Sequence, residues 1–168
     1  PGRLERVHNE RGVTVLVDYA HTGDALENVL KTVSELATGR IITVFGCGGD
    51  RDRGKRPVMA EISGRYSHLT IVTSDNPRTE EPAAIIKEVL SGIKPMGLRE
   101  YDARELNRGF VDKGFTSLVS RHDAIQLAAT VAVAGDIVLL AGKGHEDYQI
   151  IGTEKFHFDD REEAVAAF

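Results

Sequence analysis

Residues able to do chemistry crowd into four short segments of this chain. They read DYAHTGD (Asp18–Asp24), GCGGDRDRGKRP (Gly46–Pro57), TSDNPRTEEP (Thr73–Pro82) and GKGHEDYQ (Gly142–Gln149). Each is dense in Gly, Pro, His or charge, whereas a plain connection needs only about two to six unremarkable residues. Three well-known motifs nearly form. GCGGDR approaches the dinucleotide fingerprint, but Arg51 stands at the third glycine. Gly49, Gly54 and Lys55 have phosphate-loop spacing, but Arg56 replaces the Ser or Thr that ligates Mg²⁺, and Asp50 and Asp52 repel phosphate. His145-Glu146 opens a zincin motif that Gln149 fails to complete. Each fails on the residue that performs the chemistry, so no complete NAD, ATPase or zinc site is encoded locally. Neither a Ser-His-Asp nor a Cys-His arrangement is indicated. His8, His68, His122 and His157 have no ligand spacing and read as structural. His145 reads as a packing or capping residue, and Cys47 as a small packed one.

Four apolar runs immediately precede these segments: VTVLV (Val13–Val17), IITVF (Ile41–Phe45), LTIV (Leu69–Val72) and IVLLA (Ile137–Ala141). They are short, β-branched and apolar on both faces, as strands of a parallel sheet covered on both sides are. The first two starts are 41 − 13 = 28 residues apart and the next two 69 − 41 = 28, which leaves room for a crossover helix each time. Ala25, Leu26, Val29, Leu30, Val33, Leu36 and Ala37 recur at helical spacing, with Thr22 or Asp24 to cap the start and Gly39 to stop the end. Further helices are expected over Pro57–Tyr66, Glu80–Ile93 and Asp123–Ala134. Thr116–Ser120 suits another short strand. Tyr148–Ile151 and Lys155–Phe158 flank Gly152-Thr153 as an antiparallel hairpin, and Asp159–Phe168 suits a terminal helix. The predicted fold is a three-layer, Rossmann-like α/β domain over residues 1–168, with a mostly parallel sheet and a C-terminal antiparallel hairpin. Ligands of such sheets bind at the carboxyl ends of the strands, where the four segments fall.

Composition narrows the function. The chain has 168 residues, with 21 Lys and Arg against 26 Asp and Glu, a net charge of −5, which argues against a nucleic-acid module. A single cysteine excludes an internal disulfide framework and fits a reducing cytoplasm. The most apolar stretch, Ile125 to Ala134, is too short to span a bilayer, so no membrane insertion is expected. The charged start, PGRLERVHNERG, has no signal-peptide core, and Pro1 in place of an initiator Met suits a domain cut from a longer protein.

Gly2-Arg3, DYAHT (Asp18–Thr22), FGCGGDRDRGKRP (Phe45–Pro57), DNPR (Asp75–Arg78) and GKGHEDYQ (Gly142–Gln149) come in an order and spacing that resembles the C-terminal domain of the Mur ligases. Among these the chain is most similar to the branch that adds 2,6-diaminopimelate. Gly23 departs from the pattern, where proline usually follows DYAHT. The resemblance implies ATP-dependent peptide-bond formation in peptidoglycan synthesis, with UDP-MurNAc-L-Ala-D-Glu, meso-diaminopimelate and ATP as substrates. It also implies N-terminal and central domains absent from this chain, the central one carrying the phosphate loop and most of the Mg²⁺ ligands. Isolated, the domain is expected to be inactive.

By the same resemblance, ATP contacts fall on Arg3, Asp18, Tyr19 and His21. Contacts to diaminopimelate fall on Arg51, on Asp75, Asn76, Pro77 and Arg78, and on Gly142 and Glu146. No catalytic general base and no metal ligand is assigned. The chemistry is coherent, because arginine forks bind carboxylates bidentately and an acid such as Glu146 or Asp75 holds an ammonium. Simpler roles stand beside these: Arg51 can pair with Asp50 or Asp52, Asp75 can cap a turn, and Asp18 can serve the helix-entry turn. Arg53, Lys55 and Arg56 read as loop-orienting. The alternatives are a Mur-type ligase adding L-lysine, a folylpolyglutamate synthetase-like ligase, or a free-standing nucleotide- or amino-acid-binding module. The arginine of DNPR disfavours lysine, which lacks the second carboxylate.

Overall fold

The computed structural model describes residues 3–168, so Gly2 lies outside the described residues. Seven strands make one sheet: β1 (Glu5–Val7), β2 (Thr14–Asp18), β3 (Ile41–Phe45), β4 (Leu69–Val72), β5 (Arg99–Glu100), β6 (Gly114–Ser117) and β7 (Ile137–Ala141). Their spatial order is β1-β2-β7-β3-β4-β6-β5. Every neighbouring pair is parallel except β1, which runs antiparallel to β2. The four apolar runs are thus the four adjacent central strands. A separate antiparallel hairpin joins β8 (Tyr148–Ile151) to β9 (Glu154–His157).

Helices α1 (Gly23–Leu36), α2 (Lys55–Tyr66) and α3 (Pro82–Leu90) cover one face of the sheet, and α4 (Arg121–Val131) and α5 (Asp160–Ala167) the other. Strand β7 illustrates why its sequence is apolar throughout. Ile137, Leu139 and Ala141 enter the core with α1 to α3, while Val138 and Leu140 enter the core with α4 and α5. Leu26, Leu30 and Val33 of α1 are fully buried at the expected helical spacing. Each such side chain stabilises the fold by about 1.5–3 kcal/mol.

Several boundaries move for physical reasons. Thr22 caps α1, its Oγ1 accepting from Ala25 N at 3.2 Å, and the helix ends at Ala37 before reaching Gly39. Helix α3 begins at Pro82 and not at Glu80, because proline holds the preceding Glu81 extended (φ −70°, ψ 122°) and suits the first helical turn. It stops at Leu90, and Ser91 to Ile93 continue as turns. Strand β6 starts two residues before the expected Thr116. The edge strands β1 and β5 read Glu-Arg-Val and Arg-Glu and have no apolar run to betray them. Their pairing comes chiefly from the neighbouring backbone, with Val7 the one buried side chain that β1 adds to the core.

Candidate functional site

The carboxyl ends of β2, β7, β3 and β4 lie side by side, with Ala141 in register with both Asp18 and Phe45. The four chemistry-bearing segments therefore meet at one end of the sheet, and they form two neighbouring hollows. One, of about 250 Å³, is lined by Arg3, Asp18, Tyr19, Ala20, His21, Ala25, Asn28 and Val29. The other, of about 460 Å³, is lined by Tyr19, His21 and Thr22 from the first loop and by Gly48, Arg51, Asp52 and Lys55 from the second. Asp75, Asn76, Arg78, Gly142 and Glu146 complete it. The residues expected at ATP thus gather in the first hollow and those expected at the amino acid in the second. Pro77 is absent from the lining and sits buried behind it. Tyr19 and His21 border both hollows. Their rings are 4.7 Å apart, the His21 Nδ1 bonds the Tyr19 carbonyl at 3.0 Å, and the exposed His145 ring lies 5.8 Å from Tyr19.

Asp18 is buried, and both its oxygens are engaged by backbone. Oδ2 accepts from Leu4 N and Oδ1 from Ala20 N, each at 2.8 Å. The carboxylate therefore ties the segment carrying Arg3 to the turn that presents Tyr19. Of the two roles open to it, accepting from a ligand or positioning Tyr19, the geometry serves positioning.

The DNPR turn is gripped from three sides. Arg78 has a left-handed φ of 52° and pairs with the hairpin, its N–H donating to Ile150 O at 3.0 Å and its carbonyl accepting from Gly152 N. Asn76 Oδ1 accepts from Ile150 N at 2.9 Å, and Gln149 donates to the Asp75 carbonyl. On the third side Gly49 N donates to Asn76 O at 2.8 Å, and a Cβ on Gly49 would run into the Pro77 carbonyl. Only glycine permits that approach. The Arg78 Nη1 donates to Gly49 O at 2.9 Å, so part of its fork is held and the rest faces the cleft.

Arg51 is exposed and bonds only the Asp50 carbonyl, at 2.8 Å. The simpler pairing open to it, with Asp50 or Asp52, does not form: Asp52 Oδ1 accepts from Gly54 N, and Asp50 bonds Thr79 through both carboxylate oxygens. Those bonds hold the Asp50 carboxyl below its usual range. Arg56, by contrast, is wholly buried and structural, donating to Glu80, Glu88 and the Gly48 carbonyl. Its hydrogen bond to Glu80, joined by the Asp50 N–H, holds that carboxyl down at about 2. Burial pushes the Cys47 thiol up to about 12, so it is a packed neutral group.

Two contributors, Lys143 and Arg121, escaped the sequence reading, while Lys55 was expected only to orient its loop. Lys143 is fully buried, with Nζ 3.0 Å from Asp75 Oδ1, and so the Asp75 carboxylate already faces an ammonium. Lys55 lines the cleft and donates to the His21 carbonyl at 2.7 Å, linking the first two loops. Arg121, also buried, bonds the carbonyls of Ser74 and Ala141 behind the cleft. Only the position of Lys143 between two glycines at a strand end hinted at a role.

A mostly parallel sheet layered by helices, with arginine side chains and the Gly142–Glu146 loop converging at its carboxyl end, makes an α/β domain with a cleft where such sheets bind ligands. Residues 2–144 match the family described as "Mur ligase, glutamate ligase domain", and the chain belongs to that family. It is 97% identical, over its full length, to 33% of the UDP-N-acetylmuramoyl-L-alanyl-D-glutamate–2,6-diaminopimelate ligase of Geobacter sulfurreducens. It is 54% identical over 97% of its length to 31% of the enzyme of that name from Clostridioides difficile. A solved structure of a UDP-N-acetylmuramoyl-L-alanyl-D-glutamate–2,6-diaminopimelate ligase superposes with a TM-score of 0.84 at 41% identity. That match covers 99% of this chain and 31% of the other. The chain thus spans about a third of the length of these relatives.

Proposed function

We propose that this chain is the C-terminal, amino-acid-binding domain of an ATP-dependent ligase that adds meso-2,6-diaminopimelate to UDP-MurNAc-L-Ala-D-Glu. The observation that carries the reading is the second hollow, where the Arg51 and Arg78 guanidiniums and the Glu146 carboxylate line one cleft. Two forks suit the two carboxylates of diaminopimelate, and an acid suits its ammonium. The adjoining hollow, with Arg3 and the Tyr19 ring, suits a nucleotide bearing negative charge and a flat base.

In the proposed reaction ATP phosphorylates the side-chain carboxyl of D-glutamate, the diaminopimelate amine attacks the acyl phosphate, and phosphate leaves. The residues here bind and orient the amine donor, and holding two reactants in register supplies much of the gain in such a reaction. Among the described residues no three His, Cys, Asp or Glu side chains converge to hold a metal. Mg²⁺ accompanying ATP would take its ligands mainly from the central domain, which the proposal places, with an N-terminal domain, in the same protein. A cytoplasmic location is part of the proposal, since these substrates are nucleotides and nucleotide-linked precursors. None of the helices among the described residues is long and apolar enough to cross a membrane.

The test is phosphate release by the intact ligase. It is expected to require UDP-MurNAc-L-Ala-D-Glu and meso-diaminopimelate together, with L-lysine a poor replacement, and the isolated chain should release none. Equal use of L-lysine would sink the assignment.

A further inference from the structure

Lys143 stands two residues past the end of β7, and its side chain has no exposure at all. An ammonium has three donors, and burying it uncompensated is prohibitive. Its neighbours are Asp75 Oδ1 at 3.0 Å, Asn76 Oδ1 at 3.2 Å and Glu146 Oε1 at 3.6 Å. Two of these open the DNPR turn, and the third is the acid across the cleft. The Lys143 ammonium also lies 5.7 Å from the centre of the Tyr148 ring, whose hydroxyl reaches Glu146 Oε2 at 3.4 Å.

We propose that Lys143 is the positioning residue that sets the charge selectivity of this cleft. From behind, it occupies Asp75 and fixes Asn76, whose oxygen also holds the hairpin through Ile150 N. Glu146, the more distant of its two acids, is left to receive a ligand ammonium, and Arg51 and Arg78 face carboxylates without competition from Asp75. This deepens the function proposed above and rests on it.

The count of charges gives the inference its content. The lining holds three cations, Arg51, Lys55 and Arg78, and three acids, Asp52, Asp75 and Glu146. Lys143 tips this balance from zero to +1. Diaminopimelate carries two carboxylates and two ammoniums and is neutral overall, whereas lysine lacks one carboxylate and carries +1. A cleft with an excess positive charge disfavours lysine twice, by repulsion and by leaving an arginine unpaired. Without Lys143 the Asp75 carboxylate becomes a second seat for an ammonium, and the preference weakens.

The experiment compares variants of the intact ligase with diaminopimelate and L-lysine as amine donors. In Lys143→Met the ratio of kcat/KM for diaminopimelate over lysine is expected to fall at least ~10-fold, the scale of one screened charge interaction. The KM for diaminopimelate should rise and that for ATP should hold. Adding Asp75→Asn removes the stranded carboxylate, returns the lining to +1, and is expected to restore the ratio, which the loss of a purely structural contact would not allow. A ratio unchanged in Lys143→Met, or still depressed in the double variant, overturns the inference. If Lys143→Met does not fold, the double variant decides: folded with a wild-type ratio it supports the inference, and otherwise it overturns it. A wild-type ligase unable to use diaminopimelate overturns the proposed function, and the selectivity inference falls with it.

Discussion

Arg121 and Asp160 form a two-pronged ion pair with both side chains fully buried, Nε to Oδ1 at 2.8 Å and Nη2 to Oδ2 at 2.7 Å. The same guanidinium donates to the carbonyls of Ser74 and Ala141, at the ends of β4 and β7. One side chain of α4 thereby bolts α5 to the rear wall of the cleft. Arg121→Ala strands a buried carboxylate and is expected to destabilise the domain by about 3–5 kcal/mol in urea unfolding. Replacing both partners by apolar residues of similar size should cost much less. A loss within the range of an exposed pair, under about 1 kcal/mol, contradicts this account.

Glu80 supplies a pH signature. Its hydrogen bonds from Arg56 and the Asp50 N–H lower its pKa from 4.5 to about 2. A depressed folded-state value means that the carboxylate stabilises the fold at all pH above its unfolded value. That contribution is lost as pH falls through the folded value. Melting temperature should therefore decline between pH 4.5 and about 2, and Glu80→Gln should flatten that part of the curve. Parallel curves for the two proteins would exclude the Arg56 contact as the cause.

Asp18 acts through what it holds. Asp18→Asn keeps one acceptor oxygen and strands a backbone N–H, at a cost of about 1–3 kcal/mol. In the intact ligase the KM for ATP should rise and kcat fall, while the KM for diaminopimelate holds. Steady-state kinetics with each substrate varied in turn would read the pattern, and unchanged ATP parameters in a folded variant would refute it.

Arg78 separates side chain from backbone. Losing one partner of a desolvated charge pair costs about 2–5 kcal/mol, roughly 30- to 5,000-fold in affinity. Arg78→Ala should weaken diaminopimelate by at least ~30-fold, and Arg78→Lys should recover only part because a point charge cannot make the fork. Arg78→Gly is the control, since glycine accepts the φ of 52° without strain. If Arg78→Gly retains wild-type affinity for diaminopimelate, the role of Arg78 is conformational and not ligand-binding.

The four central strands and their helices were readable because apolar periodicity is local: Val13–Val17 or Ile137–Ala141 announces burial on both faces without reference to any partner. The segments that line the site announced themselves in the same way, by glycine and charge directly after each strand. Neighbour choice was not local. Strand β7 inserts between β2 and β3, whose starts lie 137 − 14 = 123 and 137 − 41 = 96 residues earlier in the chain. That single pairing carries the GKGHE loop between the DYAHT and GCGGD loops and makes one cleft of them. Side-chain partners were equally hidden. Nothing in the residues near Lys143 says that its ammonium meets Asp75, 68 positions away, or that Arg121 meets Asp160, 39 positions away. A lysine or arginine in sequence reads as a solvated charge. Only packing from both sides removes the water and forces each to find a counterion, and it is the tertiary fold that decides which acid is within reach.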